Sequence, residues 1–284
     1  MIKVRVPAST SNLGSGFDGV GIALDLWLEA RLDPEPGHPV YSGTIARLPQ
    51  GQDLIAKTLK APAALSQMHL AVVSSIPVGK GLGSSAASLC AAYALNQLAN
   101  GKRLDKDAVF DLAFKAEGHP DNAGPAVYGG FIVAAEKPAK RPFNAKLGIA
   151  LAVPDSSVDT KQARALLPEQ VAREMVIAQA RRCASLVIGL EHGDGDLIRY
   201  GMEDQLAVPL RKSLIKGFDA AVAEGVKAGA YGVTISGSGS SLVAVGPKEA
   251  AAAIAKAMAD AFTAAGNKAV GLTPNVVEGG MVAG

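Results

Sequence analysis

One short stretch limits what this chain can be more than any other: Pro77-Val78-Gly79-Lys80-Gly81-Leu82-Gly83-Ser84-Ser85-Ala86-Ala87. Residues 69–75 before it read as a strand. Residues 84–99 after it are rich in alanine and leucine with no proline or glycine, which predicts a helix of about four turns. Glycines let a backbone approach a ligand closely, and the helix start presents N–H groups that have no intrahelical acceptor. A polyphosphate satisfies them. The plainer alternative is a tight turn with a serine cap, but a proline, three glycines and paired serines ahead of such a helix favour phosphate. The string is neither a Walker A loop, since no Gly-Lys-Ser/Thr closes it, nor a Gly-x-Gly-x-x-Gly dinucleotide fingerprint.

Around this stretch the pattern alternates between strands and helices. Residues 2–6, 24–31, 129–135 and 147–153 read as strands, and 106–117 reads as a second helix. Residues 137–146 hold two prolines and four Lys or Arg and predict a surface connection. Helices are expected at 160–167, 169–190, 194–202, 218–227 and 249–265, with strands at 232–235 and 242–245 bracketing a Gly-Ser turn. No period repeats. The expectation is an α+β chain in two halves, 1–150 and 151–284. Apolar residues at 49% against 19% charged exclude disorder. A net charge of +2 with no basic stripe argues against nucleic acid. Cys90 and Cys183 stand too far apart for a metal site and are too few for a disulfide framework. Neither a signal-peptide apolar core nor a run of about 18–20 apolar residues is present, so no membrane partner is expected and cytoplasm is the default.

Residues 77–87 resemble the second motif of the GHMP small-molecule kinases, whose loop wraps the phosphates of ATP. Five further strings follow that family in order and are similar to its homoserine kinase branch. They are Pro7-Ala8-Ser9-Thr10-Ser11-Asn12-Leu13-Gly14-Ser15-Gly16-Phe17-Asp18; Glu117-Gly118-His119-Pro120-Asp121-Asn122 with Gly129-Gly130; Thr160-Lys161-Gln162-Ala163-Arg164 with Leu167-Pro168; Met202-Glu203-Asp204 with Pro209 and Arg211; and Ser236-Gly237-Ser238-Gly239. The resemblance spans almost the whole chain. It implies the two-domain GHMP kinase fold, a ribosomal protein S5-like domain over 1–150 and a ferredoxin-like domain over 151–284. It also implies ATP and Mg²⁺ as cofactors, transfer of phosphate to the side-chain hydroxyl of L-homoserine on the way to threonine, and a homodimer. Another GHMP kinase acting on a different small alcohol, or a non-catalytic nucleotide- or metabolite-binding relative, are the competing readings. Glu117 and the loop serines, all present, speak against the second.

The resemblance assigns the whole loop 77–87 to ATP, and Glu117 with Ser84 or Ser85 to Mg²⁺. Mg²⁺ prefers a few hard oxygens, and a glutamate beside the negative end of a helix dipole is otherwise unfavourable. Asn12 and Asp18, expected on a glycine-rich loop, and His119 are read as substrate contacts, with turn-stabilising hydrogen bonds as the alternative. Thr160, Arg164, Arg211 and Gly237 complete the substrate set; the guanidinium fork matches a carboxylate bidentately. Asn122 stands where mevalonate-type relatives place an aspartate. Asparagine cannot act as a general base, so Asn122, Glu117 and Ser84 imply catalysis by positioning and charge, with Asp121 as a minor alternative base. Asp53 stands where relatives often carry an asparagine near adenine, which leaves base preference open.

Overall fold

The computed structural model describes residues 1–47, 53–59 and 68–284. Its frame is a pair of long antiparallel strands, β1 (Ile2–Asn12) and β2 (Gly16–Asp33), joined by a tight turn, with register shifts between Pro7 and Ala8 and between Ser11 and Asn12. The alternation at 2–6 is therefore only the first five residues of an eleven-residue strand. The motif at 7–18 is not the loop that its small polar residues suggest. Ser9, Thr10 and Ser11 are fully buried within β1. Strain gathers at the tip instead: Asn12, Leu13 and Asp18 adopt positive φ of 71°, 46° and 54°, a region that non-glycine residues rarely occupy.

The first sheet runs β11-β1-β2-β4-β3, with β3 at Val40–Gly43, β4 at His69–Ser74 and β11 at Val282–Ala283. β5 (Phe131–Val133) and β6 (Ala139–Arg141) branch from β2. So 137–146, expected as a bare connection, contains an exposed strand. The helix start α1 (Leu54–Thr58), then α2 (Ser84–Ala99), α3 (Lys106–Glu117) and α4 (Ala123–Tyr128) pack on this half. The second sheet is β10-β7-β9-β8, antiparallel throughout, built from β7 (Leu147–Pro154), β8 (Gly232–Ile235), β9 (Leu242–Pro247) and β10 (Ala269–Leu272). Numbered within this half the order is 4-1-3-2, the arrangement expected of a ferredoxin-like sheet. Its helices are α5 (Thr160–Ala165), α6 (Arg173–His192), α7 (Gly195–Met202), α8 (Val208–Arg211), α9 (Phe218–Lys227) and α10 (Ala251–Ala264).

β7 shows why the second half reads as apolar. Successive side chains on a strand face opposite ways. Leu147, Ile149, Leu151 and Val153 join a large core that includes Leu186 of α6 and Ile198 of α7, while Ala150 and Ala152 face a second core with Phe218, Ile254 and Phe262. Both faces are covered, so the run is continuous rather than alternating. β7 also spans position 150 and lies entirely in the second sheet, whereas β11 returns to the first. From sheet membership we propose that the halves are 1–146 with 276–284, and 147–275.

Candidate active site

A strand side without a neighbour presents unpaired N–H and C=O groups. β11 covers that side of β1 only at Val4 and Arg5, and two functional segments reach it further along. The Ser9 N–H donates to Leu82 O at 3.3 Å in the phosphate loop, and Ser11 O accepts from the Gly237 N–H at 3.1 Å in the Gly-Ser turn. Gly81 then presses against the same turn: a Cβ there would lie 2.0 Å from Ser236 O, and one on Gly83 would lie 2.1 Å from Ser9 Oγ. Both glycines have positive φ, 73° and 71°. No larger residue fits either position.

This joint opens onto a cleft of about 490 Å³. Residues 79–86 of the loop line it; Pro77 and Val78 are not part of the lining, and Ala87 is buried within α2. The serines do not cap α2. Gly83 is its N-cap residue and offers no side chain, so the first N–H groups of the helix are left to the cleft. Leu54 and Leu89 add an apolar patch that sequence reasoning missed. Asp53 lies outside the lining: it caps α1 through Ile55 N and Ala56 N and accepts from the Tyr41 hydroxyl. Its capping duty is legible in hindsight from its place before an apolar helical run.

Glu117 ends α3 and faces the loop. Withdrawal from water raises the pKa of its carboxyl, and Asp121 adds to this; a hydrogen bond from Ser85 and the nearby His119 pull it down. Of the two serines, Ser85 is the one that acts on the Glu117 carboxyl. Ser84 lines the cleft one residue earlier, its carbonyl accepting from Ser88 Oγ at 2.9 Å. A hard cation among these oxygens would relieve the raised carboxyl, so the donor set fits Mg²⁺.

Asn12, Asp18, His119, Thr160, Arg164, Arg211 and Gly237 all reach the same cleft. The two asparagines do structural work as well. Asn122 accepts from Ser9 Oγ at 2.8 Å and donates to Ser11 Oγ at 2.9 Å. Asn12 donates to Gly237 O at 2.8 Å and accepts from Asp18 N at 2.9 Å. His119 Nδ1 lies 2.6 Å from Asp121 Oδ1. That bond, ahead of the cost of burial, raises the pKa of the imidazole. Asp121 is almost fully buried beneath it.

The two arginines differ. Arg164 is already engaged: its two terminal nitrogens each donate at 2.9 Å to an oxygen of Asp18, and that contact raises its pKa. Arg211 is buried at 4% exposure, donates from Nε to Ala163 O at 3.0 Å, and has its pKa lowered, first by burial and then by Arg164. Its terminal nitrogens have no hydrogen-bond partner among the described residues. Phe17 lies between the pair, its ring centroid 5.6 Å from Arg164 Cζ and 5.0 Å from Arg211 Cζ, a cation–π arrangement not foreseen from the sequence. Asp204 sets Arg211 in place, its carboxylate accepting from Leu206 N, Ala207 N and Val208 N at the entry to α8.

A polyphosphate-ready helix start facing a charged pocket across one cleft defines a small-molecule kinase, and comparison with known proteins agrees. The model for the GHMP kinases N terminal domain matches residues 51–130, and the model for the GHMP kinases C terminal matches residues 186–264. The chain belongs to the GHMP kinases, and as a kinase of this family it uses ATP. Within that family it is similar to homoserine kinases in particular. It is 33% identical to that of Persephonella marina over 94% of this chain and 92% of the relative, and 36% identical to that of Halobacterium salinarum over 94% and 91%. The crystal structure of homoserine kinase from Cytophaga hutchinsonii superposes with a TM-score of 0.82 at 33% identity, covering 99% of this chain and 96% of that one. A mevalonate kinase structure, at 13% identity and a TM-score of 0.68, shares the fold.

Proposed function

We propose that the chain transfers the γ-phosphoryl group of Mg²⁺-ATP to the side-chain hydroxyl of L-homoserine, giving ADP and O-phospho-L-homoserine, a cytoplasmic step toward threonine. The observation that carries the reading is the gathering of opposite charges, Asp18 paired with Arg164 and the buried Arg211 in the same cleft, opposite the open N-terminus of α2. An α-amino acid brings the complementary pair. Its carboxylate meets the guanidinium forks and its ammonium meets Asp18, while the side chain points toward the phosphates.

On the nucleotide side, the N–H groups at the start of α2 and the loop backbone receive the phosphates, with Leu54 and Leu89 as the apolar wall for the base. Glu117 and Ser85 hold Mg²⁺, with Ser84 beside the phosphate path. The bound ion neutralises charge on the triphosphate. On the acceptor side, Asn122 and His119 orient the hydroxyl, whose oxygen forms the new bond to phosphorus as the bond to the ADP oxygen breaks, and the hydroxyl proton, made acidic by the new bond, passes to water. A loose transition state demands little activation of the nucleophile, so positioning replaces a carboxylate base. Thr160, whose hydroxyl lies 3.0 Å from that of Ser238, and Gly237 close the pocket. The family resemblance carries a homodimer with it, and the exposed Val176, Ile177 and Ile188 of α6 are apolar surface for such a contact; light scattering checks this. Among the described residues no helix is long and apolar enough to cross a membrane.

Coupled ADP release measured with homoserine, serine, threonine, shikimate and mevalonate tests the reading. Homoserine should turn over fastest by a wide margin. Preference for mevalonate or shikimate would replace it.

A further inference from the structure

Lys80 sits in the middle of the phosphate loop, where a cation is expected to meet ATP. Its side chain goes elsewhere. Nζ donates to Asp155 O at 2.7 Å, Ser156 O at 2.7 Å and Ser157 Oγ at 3.1 Å. An ammonium has three N–H donors. All three are spent on one segment, which leaves none for a phosphate oxygen.

That segment joins β7 to α5, the helix that carries Thr160 and Arg164. It has other anchors, but none of these comes from the phosphate loop. Asp155 N donates to Lys268 O at 2.7 Å, Ser156 N to Asn267 Oδ1 at 3.4 Å, Ser240 Oγ to Ser156 O and Asn267 Nδ2 to Ser156 Oγ at 3.0 Å, and Asp159 caps α5 at Gln162 N. Behind the side chain, Lys80 O accepts from Ser241 N at 3.2 Å, so the base of the lysine is pinned to the Gly-Ser turn. A cation thus reaches from the nucleotide loop into the other half of the molecule and ends on the foot of the substrate helix.

We infer that Lys80 is a positioning residue for the acceptor: it holds α5 to the phosphate loop and sets Thr160 and Arg164, and it does not bind ATP through its ammonium. The kinetic half of this inference rests on the reading of the site as a homoserine-phosphorylating centre; the structural half does not.

The experiment therefore has two arms. In the first, Lys80→Met raises the KM for homoserine roughly tenfold while the KM for ATP stays within about twofold, since several charge-assisted bonds to the helix foot are lost and the phosphate contacts are not. Lys80→Arg recovers much of the loss, because a guanidinium can donate to the same carbonyls. Ser157→Ala, which removes one acceptor of three, moves the homoserine KM in the same direction by less. In the second arm, amide hydrogen exchange over 155–165 is followed with no substrate or nucleotide present. It accelerates in Lys80→Met and returns toward wild type in Lys80→Arg. A rise in the ATP KM with the homoserine KM unchanged overturns the inference, and so does exchange that does not differ from wild type. Should wild type leave homoserine unphosphorylated, the proposed reaction fails, yet the exchange arm still decides whether the clamp exists.

Discussion

On the nucleotide side of the cleft, backbone is pressed against backbone, and atoms at Gly81 and Gly83 have no room to move apart without opening the joint between loop, β1 and turn. Across the cleft, Asp18 and Arg164 are held by an ion pair whose partners are 30% and 43% exposed. The first arrangement is rigid before any ligand arrives. The second is an exchangeable set of charges that an incoming zwitterion can enter by substitution. An exposed pair of this kind is worth at most about 1 kcal/mol to stability, so little is lost when a substrate separates it. On the proposed reading, one side places the phosphates and the other selects the acceptor.

The contrast breaks most completely at Gly81. Gly81→Ala places a methyl group against Ser236 O at a positive φ, and it should cost about 4 kcal/mol of stability together with ATP binding. Thermal unfolding and nucleotide titration read both; an unchanged pair would mean that the loop yields and is not a rigid cradle. Next in size, Glu117→Gln keeps the fold but lowers kcat about 100-fold, because a neutral amide is a poorer ligand for the cation. Near-normal turnover at saturating Mg²⁺ and ATP would take Glu117 out of the metal site.

The substrate side should respond unequally. Arg211→Ala lowers kcat/KM for homoserine about 30-fold, roughly 2 kcal/mol, since its fork is buried and free to meet a carboxylate. Arg164→Ala costs less, about fivefold or ~1 kcal/mol, because Arg164 must first leave Asp18, and its removal frees Asp18 for the ammonium. Both defects should shrink with 3-aminopropanol, which lacks the carboxylate. Equal losses for the two arginines would erase the distinction drawn between them.

Much of this was legible in the sequence wherever the signal was local. The loop and α2 announce themselves by glycine, serine and alanine within a few turns, and the observed bounds of α2, α3 and α9 coincide with those the pattern predicts. Arg164 and Arg211 were paired by resemblance, and both line the one cleft. What stayed hidden depends on distant contacts. Ser9 to Ser11 look like loop residues until Leu82 and Gly237 are seen to cover their edge. Asn12 and Asn122 look like free polar groups until their amides are found tying the joint. α8 is four residues long and is started by Asp204, too short for any periodicity. Lys80 reads as a phosphate ligand because its acceptors lie about 75 residues further along the chain.

The return of residues 276–284 to the first sheet has a consequence for how the protein is made. Val282 and Ala283 pair with Arg5 and Val4, Val276 bridges to Leu24, and Met281 is fully buried with its N–H on Val127 O. A ribosome delivers β1 first and these partners only after the whole second sheet has been translated. At about 5–20 residues per second, β1 waits some tens of seconds with its outer edge uncovered at Val4 and Arg5, and at Ser11 until Gly237 emerges. During that interval the nascent chain carries an open template for strand pairing with its neighbours on a polysome. Expression yield should therefore depend on how fast the second half is completed as well as on how stable the finished molecule is.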